Sequence, residues 1–172
     1  PSVWPYQPAG LWYELAGGDG QQYPDGRYQQ EHGEKLYRRS MYTFWRRTIP
    51  PPTMMAFDAP SREICTVRRA RTNTPLQALA LMNEAGFVET ARALAERVMR
   101  ERGGPNERLT LAFRLVTGRR PNEREFTVLL SGWRRHGDFY RQNKEAAEAL
   151  IRTGESKPGG NLNVEEFAAF TA

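Results

Sequence analysis

From Thr74 onward, apolar residues recur at helical spacing between clearly marked stops, whereas residues 1–73 scatter aromatic clusters among proline, glycine and arginine and hold no long period. Leu76, Leu79 and Met82 form one apolar line, with Thr74 as the N-cap, Pro75 as the first helical residue and Gln77 as the capping-box partner. A second helix is predicted from about Ala85 to Arg102 on Phe87, Ala91, Leu94 and Val98, ending at Gly103 and Gly104. A third opens at Pro105, carries Leu109, Ala112, Phe113 and Val116 on one side, and closes at Gly118. Asn122 and Glu125 repeat the capping pattern before a fourth helix whose buried stripe is Phe126, Leu129, Leu130 and Trp133, and which continues past Gly137 towards Gln142. Two shorter helices follow, around Lys144 to Arg152 and from Asn163 onward, with Glu166 three residues after the cap and a loop from Gly154 to Asn161 between them. Short loops between successive helices predict a mainly α fold, a helical bundle of five or six helices over 74–172.

The preceding residues read differently. Pro1, Pro5, Pro8 and Pro24, with six glycines over residues 1–34, break any regular element and predict an extended arm. Trp4, Tyr6, Leu11, Trp12 and Tyr13 make this arm too apolar for a free linker, so it either packs over the helical body or serves as a docking strand for another domain. Lys35 to Thr48 sets Tyr37, Met41, Phe44 and Trp45 between arginine pairs. Its SMYTFW alternation predicts a short strand, with a short helix as the rival, stopped by Pro50, Pro51 and Pro52. The chain is thus read as one domain over 1–172: an arm (1–34), a basic β-like or irregular segment (35–73) and the bundle (74–172).

Charge sharpens this picture. Lys35 to Arg71 holds nine basic residues against two acids, a local charge of +7 in a chain of net charge +5. A field concentrated on one segment favours an anionic partner, whether acidic polysaccharide, an acidic protein face or nucleic acid. The single cysteine, Cys65, forms no intrachain disulfide, and its flanking ICTV run predicts burial. No apolar run reaches membrane-spanning length, and the opening PSVWPYQPAG is not an export signal. The absent initial Met and the terminal EEFAAFTA suggest a piece of a longer protein.

Three blocks, FDAPSREICTVRRARTNTPLQALALMN, HGEKLYRRSMYTFWRRTIPPP and AFRLVTGRRPNERE, resemble in their order the domain of unknown function found C-terminal to planctomycetal cytochrome c-like domains. The resemblance covers essentially the whole chain and is similar to the C-terminal half of that domain. It implies a large, exported parent protein with a haem-binding module elsewhere and no cofactor in this chain. It also implies a setting alongside polysaccharide-degrading inventories, and it carries over no reaction or catalytic residue.

Two clusters are candidate binding residues. Arg68, Arg69 and Arg71, with Asn73, precede a helix start, so guanidiniums and free helix amides could converge on one anion. The competing expectation is that they bond Asp58, Glu63 and nearby carbonyls, pinning an irregular loop. Arg38, Arg39, Arg46 and Arg47 around Tyr42, Phe44 and Trp45 mix charge with flat faces, which suits stacking on sugars or bases; the competing reading is a packed strand covered by arginine stems. His32 and His136 offer no two-ligand metal spacing, and Ser40 and Ser61 lack a nucleophile-elbow setting. The carboxylate pairs Asp19 with Asp25 and Asp58 with Glu63 would serve glycoside chemistry only if they converged. The expected role is a non-catalytic accessory or ligand-binding module. A glycan-active enzyme using Asp58, Glu63 or His32 and a nucleic-acid binder are the alternatives; the absence of a nucleic-acid motif weighs against the latter.

Overall fold

The cap residues written in the sequence become the ends of real helices. The computed structural model describes residues 2–7, 28–45, 50–101 and 103–172. Seven α-helices are present among them: α1 (Pro52–Ala56), α2 (Pro75–Asn83), α3 (Ala85–Arg100), α4 (Pro105–Thr117), α5 (Glu123–Gln142), α6 (Lys144–Ile151) and α7 (Val164–Thr171). The fold is mainly α; α2, α4, α5 and α7 start at the predicted caps and α4 stops at Gly118, whereas α3 stops at Arg100 with Glu101 as its cap, short of Gly103. Asn122 accepts from the Glu125 amide while the Glu125 carboxylate accepts from the Asn122 amide, and Asn163 accepts from the Glu166 amide. Gly118 ends α4 at φ 76°, a left-handed position that glycine occupies without steric cost.

Backbone contacts divide the chain into two units, Pro1–Met82 and Asn83–Ala172. In the first unit, the Val3 amide donates to Tyr42 O (2.8 Å) and the Phe44 amide donates to Val3 O (2.8 Å), giving a single parallel bridge between Val3 and Thr43. Trp4 stacks on Phe44 at 4.4 Å and 10°, with Tyr28 tilted against it at 5.3 Å, and the Glu31 amide donates to Trp4 O. The first residues of the arm therefore pack on the basic segment; Leu11, Trp12 and Tyr13 lie outside the described residues.

Among the described residues 35–45, the strand expected over Lys35 to Thr48 does not form. Gly33–Tyr37 and Ser40–Tyr42 turn as 3-10 helices, and Thr43 alone bridges to the arm. Alternation marks a strand only where a neighbouring strand and a core receive its two faces, and Tyr37, Met41 and Tyr42 instead face solvent. Pro52, expected to be part of a stop, opens α1, because its fixed φ suits the first helical turn, where its missing N–H costs nothing.

The core of the second unit is built around α7, which packs against α3, α5 and α6. Phe167 and Ala168 meet Ala95 and Met99 of α3 and Ala147 and Ile151 of α6 in one buried cluster. The deepest line on α3 runs through Arg92, Ala95, Val98 and Met99, one step round from the predicted Phe87, Ala91 and Leu94, which are half-buried. Arg92 is buried because it pairs with Glu89 (3.4 Å), whose carboxylate also accepts from the Ser156 amide (2.7 Å). Breaking one side of such a pair leaves a charge without compensation in a poorly solvated place. Together with Arg100, which donates to Gly159 O (3.1 Å), the pair ties the 154–161 loop onto α3.

Two glycines separate strain from slack. Gly154 sits at φ 94°, and a Cβ there would collide with the Glu89 carboxylate, whereas a Cβ on Gly132, inside α5, meets nothing within 4 Å. Gly132→Ala should raise unfolding stability by roughly 0.5–1 kcal/mol and Gly154→Ala should lower it by roughly 1–3 kcal/mol, both read by chemical denaturation. Acid adds a further check. Glu125 is held at about 2, below its ordinary 4.5, by the Arg119 guanidinium first and the Asn122 amide second. Because the folded value is depressed, this stabilisation is complete above the unfolded value and is lost as pH falls from about 4.5 towards about 2. Glu125→Gln should therefore flatten the acid-unfolding profile of the second unit across that window while changing little at lower pH.

Candidate functional site

The FDAPSREICTVRRARTNTPLQ block is a loop fastened at both ends to helices, and the fastening starts with the end of α1. The Asp58 amide donates to Met55 O (3.1 Å) and the Ala59 amide donates to Met54 O (2.9 Å), the paired bonds that close a Schellman motif. That motif needs a left-handed residue just beyond the cap, usually glycine. Here it is Asp58, at φ 58°, one of the few side chains that tolerates the position. The aspartate contributes what glycine lacks. Its carboxylate accepts from the Thr72 amide (2.7 Å), the Thr72 hydroxyl (2.9 Å) and Gln77 Nε2 (3.4 Å).

Gln77 completes the fastening from the α2 side. Its Nε2 donates to the Thr72 hydroxyl (2.9 Å), its Oε1 accepts from the Thr74 amide (3.1 Å), and its own amide donates to Thr74 Oγ1 (3.3 Å). Arg69 then closes α1, donating from Nε to Asp58 O (2.8 Å) and from Nη2 to Phe57 O, a cation placed at the negative end of a helix. The Thr72 amide, the Thr72 hydroxyl, Gln77 and Arg69 together hold the Asp58 carboxyl below its ordinary 3.8, so it stands ionised and fully engaged rather than as a proton donor.

All the candidate binding residues except Arg46 and Arg47 have a described place. Arg69 is a cap for α1, and the capping box of Thr74 and Gln77 occupies the start of α2 where an anion was expected. Arg68, Arg71 and Asn73 are exposed, and neither Arg68 nor Arg71 has an ion pair among the described residues. Arg38 lies over the Tyr42 ring at 5.7 Å, and Arg39 is exposed. Trp45 is covered by Arg62, whose guanidinium stands 4.4 Å from the ring centroid, and its indole N–H is buried without an acceptor among the described residues. Arg46 and Arg47 lie outside the described residues. Arg62, itself at φ 65°, was not singled out from the sequence; nothing in a linear reading pairs it with an indole 17 positions away.

Cys65 corrects an expectation: it is exposed, as are Ile64 and Val67, because the loop is held by its polar bonds at Asp58, Arg69 and Thr72 and has no core beneath its apolar residues. Among the described residues no cluster of three His, Cys, Asp or Glu side chains could hold a metal. Among the described residues no helix is long and apolar enough to cross a membrane. In the second unit an open cleft of about 610 Å³ lies between α5 and α7, with Trp133 and Arg134 on its wall. Its three carboxylates, Asp138, Glu165 and Glu166, are each paired with a basic residue (Arg141, Lys144 and Arg108).

Residues 1–132 match the family described as PSD1, protein of unknown function (DUF1553). The chain belongs to this family, which agrees with the resemblance carried by the three sequence blocks. No curated protein and no solved structure matches it.

Three substitutions at Asp58 separate its backbone role from its carboxylate role. Asp58→Gly relieves the left-handed backbone yet releases Thr72, Asp58→Asn keeps part of the hydrogen bonding, and Asp58→Ala loses both. Amide exchange over residues 57–74 should therefore accelerate in the order Asn, Gly, Ala, by at least tenfold at Thr72 for the Ala variant, with the second unit unchanged.

Proposed function

We propose that the chain is a non-catalytic binding module of a larger exported protein, and that it recognises an acidic face of a neighbouring domain through the arginine-bearing surface of its first unit. The export and the larger parent rest on the family resemblance. The observation that carries the reading is the combination of a fastened loop with exposed guanidiniums at Arg68 and Arg71 that have no ion-pair partner among the described residues. A loop already fixed loses little conformational freedom on binding, and unpaired arginines on it supply charge recognition with bidentate geometry.

The same geometry favours a protein face over a sugar chain. Stacking on a glycan needs a bare aromatic face, and the rings of Trp45 and Tyr42 carry Arg62 and Arg38. Beside the arginines, Ile64 and Val67 are exposed, and apolar side chains among guanidiniums suit the mixed surface of a protein interface. Acidic polysaccharide is the second reading, supported by the local charge of +7.

The test is made on the complete parent protein. Amide exchange over residues 60–74 should be slower there than in the isolated chain, and Arg68→Glu with Arg71→Glu should remove the difference without altering the helical signal. Equal exchange in both proteins, with selective binding of sulfated or uronic-acid polysaccharide that survives physiological salt and competing duplex DNA, would replace the protein face with the glycan.

A further inference from the structure

Two buried donors at the cleft between α5 and α7 have nothing to bond. Trp133 forms part of the cleft wall, tilted against Phe170 at 5.6 Å, and its indole N–H is buried without an acceptor among the described residues. Arg108 reaches the cleft through Glu166, a lining carboxylate 3.2 Å from its Nη1, and its Nε is likewise buried without an acceptor. Buried donors are nearly always satisfied, by protein or by something bound, so two at one cleft call for an explanation.

The cleft is short of acceptors because its own are engaged. Asp138 pairs with Arg141 (2.7 Å), Glu165 with Lys144 (3.5 Å) and Glu166 with Arg108. The Glu165 carboxyl is held below its ordinary 4.5 by its own backbone amide first and then by Lys144 and Asn163, which keeps it charged. Asn163 Oδ1 already accepts from the Glu166 amide. Arg134, also on the lining, is exposed and has no ion pair among the described residues. The three pairs cancel, and Arg134 leaves the cleft with one uncompensated positive charge. Unmet donors beside engaged acceptors select a ligand that brings oxygens and negative charge, and they disfavour a cation or a neutral donor.

The remaining lining sets the shape of that ligand. A space of about 610 Å³ is within the range of small-molecule sites. Trp133 is its one large apolar side chain, and no cation lies over the ring among the described residues, in contrast to Trp45 beneath Arg62. Gly137 and Ala169 add little bulk beside the indole.

From this geometry we infer that the α5–α7 cleft binds a small organic carboxylate with a ring-shaped body, its oxygens bonded to Arg134 and to the unmet donors of the wall, its body filling the space beside the indole over Gly137 and Ala169. Trp133 and Arg108 are only partly buried as side chains, so a small rotation carries either N–H to the cleft, where the ligand supplies the missing acceptor. The site lies wholly in the second unit and is independent of the arginine surface of the first.

The probes are benzoate and galacturonate, two carboxylates with different ring bodies, titrated into the full isotope-labelled chain against benzamide and the methyl ester of galacturonate. At least one acid should move the Trp133 indole N–H resonance, identified by its loss in Trp133→Phe, and shift the amides of Asn163 to Ala169. That acid should bind at least tenfold more tightly than its neutral counterpart, and the tighter of the two acids tells an aromatic acid from a sugar acid as the ligand. Arg134→Gln, at an exposed position, should weaken binding at least fivefold with the helical signal unchanged. Trp133→Phe should weaken it at least threefold; if that variant fails to fold, the indole shift and Arg134→Gln carry the test. An indole N–H that neither acid moves, equal binding of the acids and their neutral counterparts, undiminished binding by Arg134→Gln, or the same shifts from sodium chloride alone would overturn the assignment.

Discussion

The first unit depends on one carboxylate. Asp58 ends α1 with its backbone and starts the approach to α2 with its side chain, because the left-handed turn that closes the first helix directs the carboxylate at Thr72 and Gln77. Without it, residues 59–73 would keep, among the described residues, only Arg69, which bonds the carbonyls of Phe57 and Asp58, and Arg62 over the Trp45 ring as long-range anchors. Irregular backbone needs its polar groups satisfied from somewhere, and here two helix ends and three side chains supply the bonds that a sheet or helix would have made. The position explains why the chain departs from the glycine usual at a Schellman turn: glycine would fit the backbone and leave the loop untied.

This constraint also decides what the unit shows to its surroundings. With Arg69 turned inward as a cap and Asp58 engaged, Arg68 and Arg71 remain exposed beside Ile64 and Val67, and α2 is held with its polar Gln77 inward and its leucines outward. Polar fastening on one side and apolar exposure on the other have a common origin. The second unit is organised in the opposite sense, around α7 buried between α3, α5 and α6, with its buried ion pair of Glu89 and Arg92 serving to hold a loop. Its acid-sensitive bonds at Glu125 lie at a helix start, where they set the entry angle of α5.

Much of the helical architecture was readable because caps act locally. Thr74 with Gln77, Asn122 with Glu125, Asn163 with Glu166, Pro105 and Gly118 all do what their side chains and backbone preferences dictate within four residues. What the sequence hid depends on distant partners. SMYTFW reads as a strand only on the assumption of a neighbouring strand, and the single bridge from Val3 is all it receives. Leu76, Leu79 and Met82 show where an apolar face lies but not whether anything covers it, and ICTV suggested burial for a cysteine whose loop has no core beneath it. Of the candidate site, Arg68 and Arg71 keep the exposure that binding requires, Arg69 proves to be a cap, and the pairing of Arg62 with Trp45 has no sequence signal because contact across a loop leaves no period.

The order of the first unit turns on Asp58 being ionised and bonded to Thr72 in the folded chain, so the most direct measurement is a pH titration of the Asp58 side-chain carboxyl and the Thr72 amide by NMR. The two signals should titrate together, below the ordinary aspartate value of 3.8, since the Thr72 amide, the Thr72 hydroxyl and Gln77 favour the charged form. The Thr72 amide should also exchange slowly until that transition and quickly below it. An Asp58 carboxyl that titrates at or above 3.8, with a Thr72 amide indifferent to it, would contradict the claim that this carboxylate ties the loop and sets the surface around it.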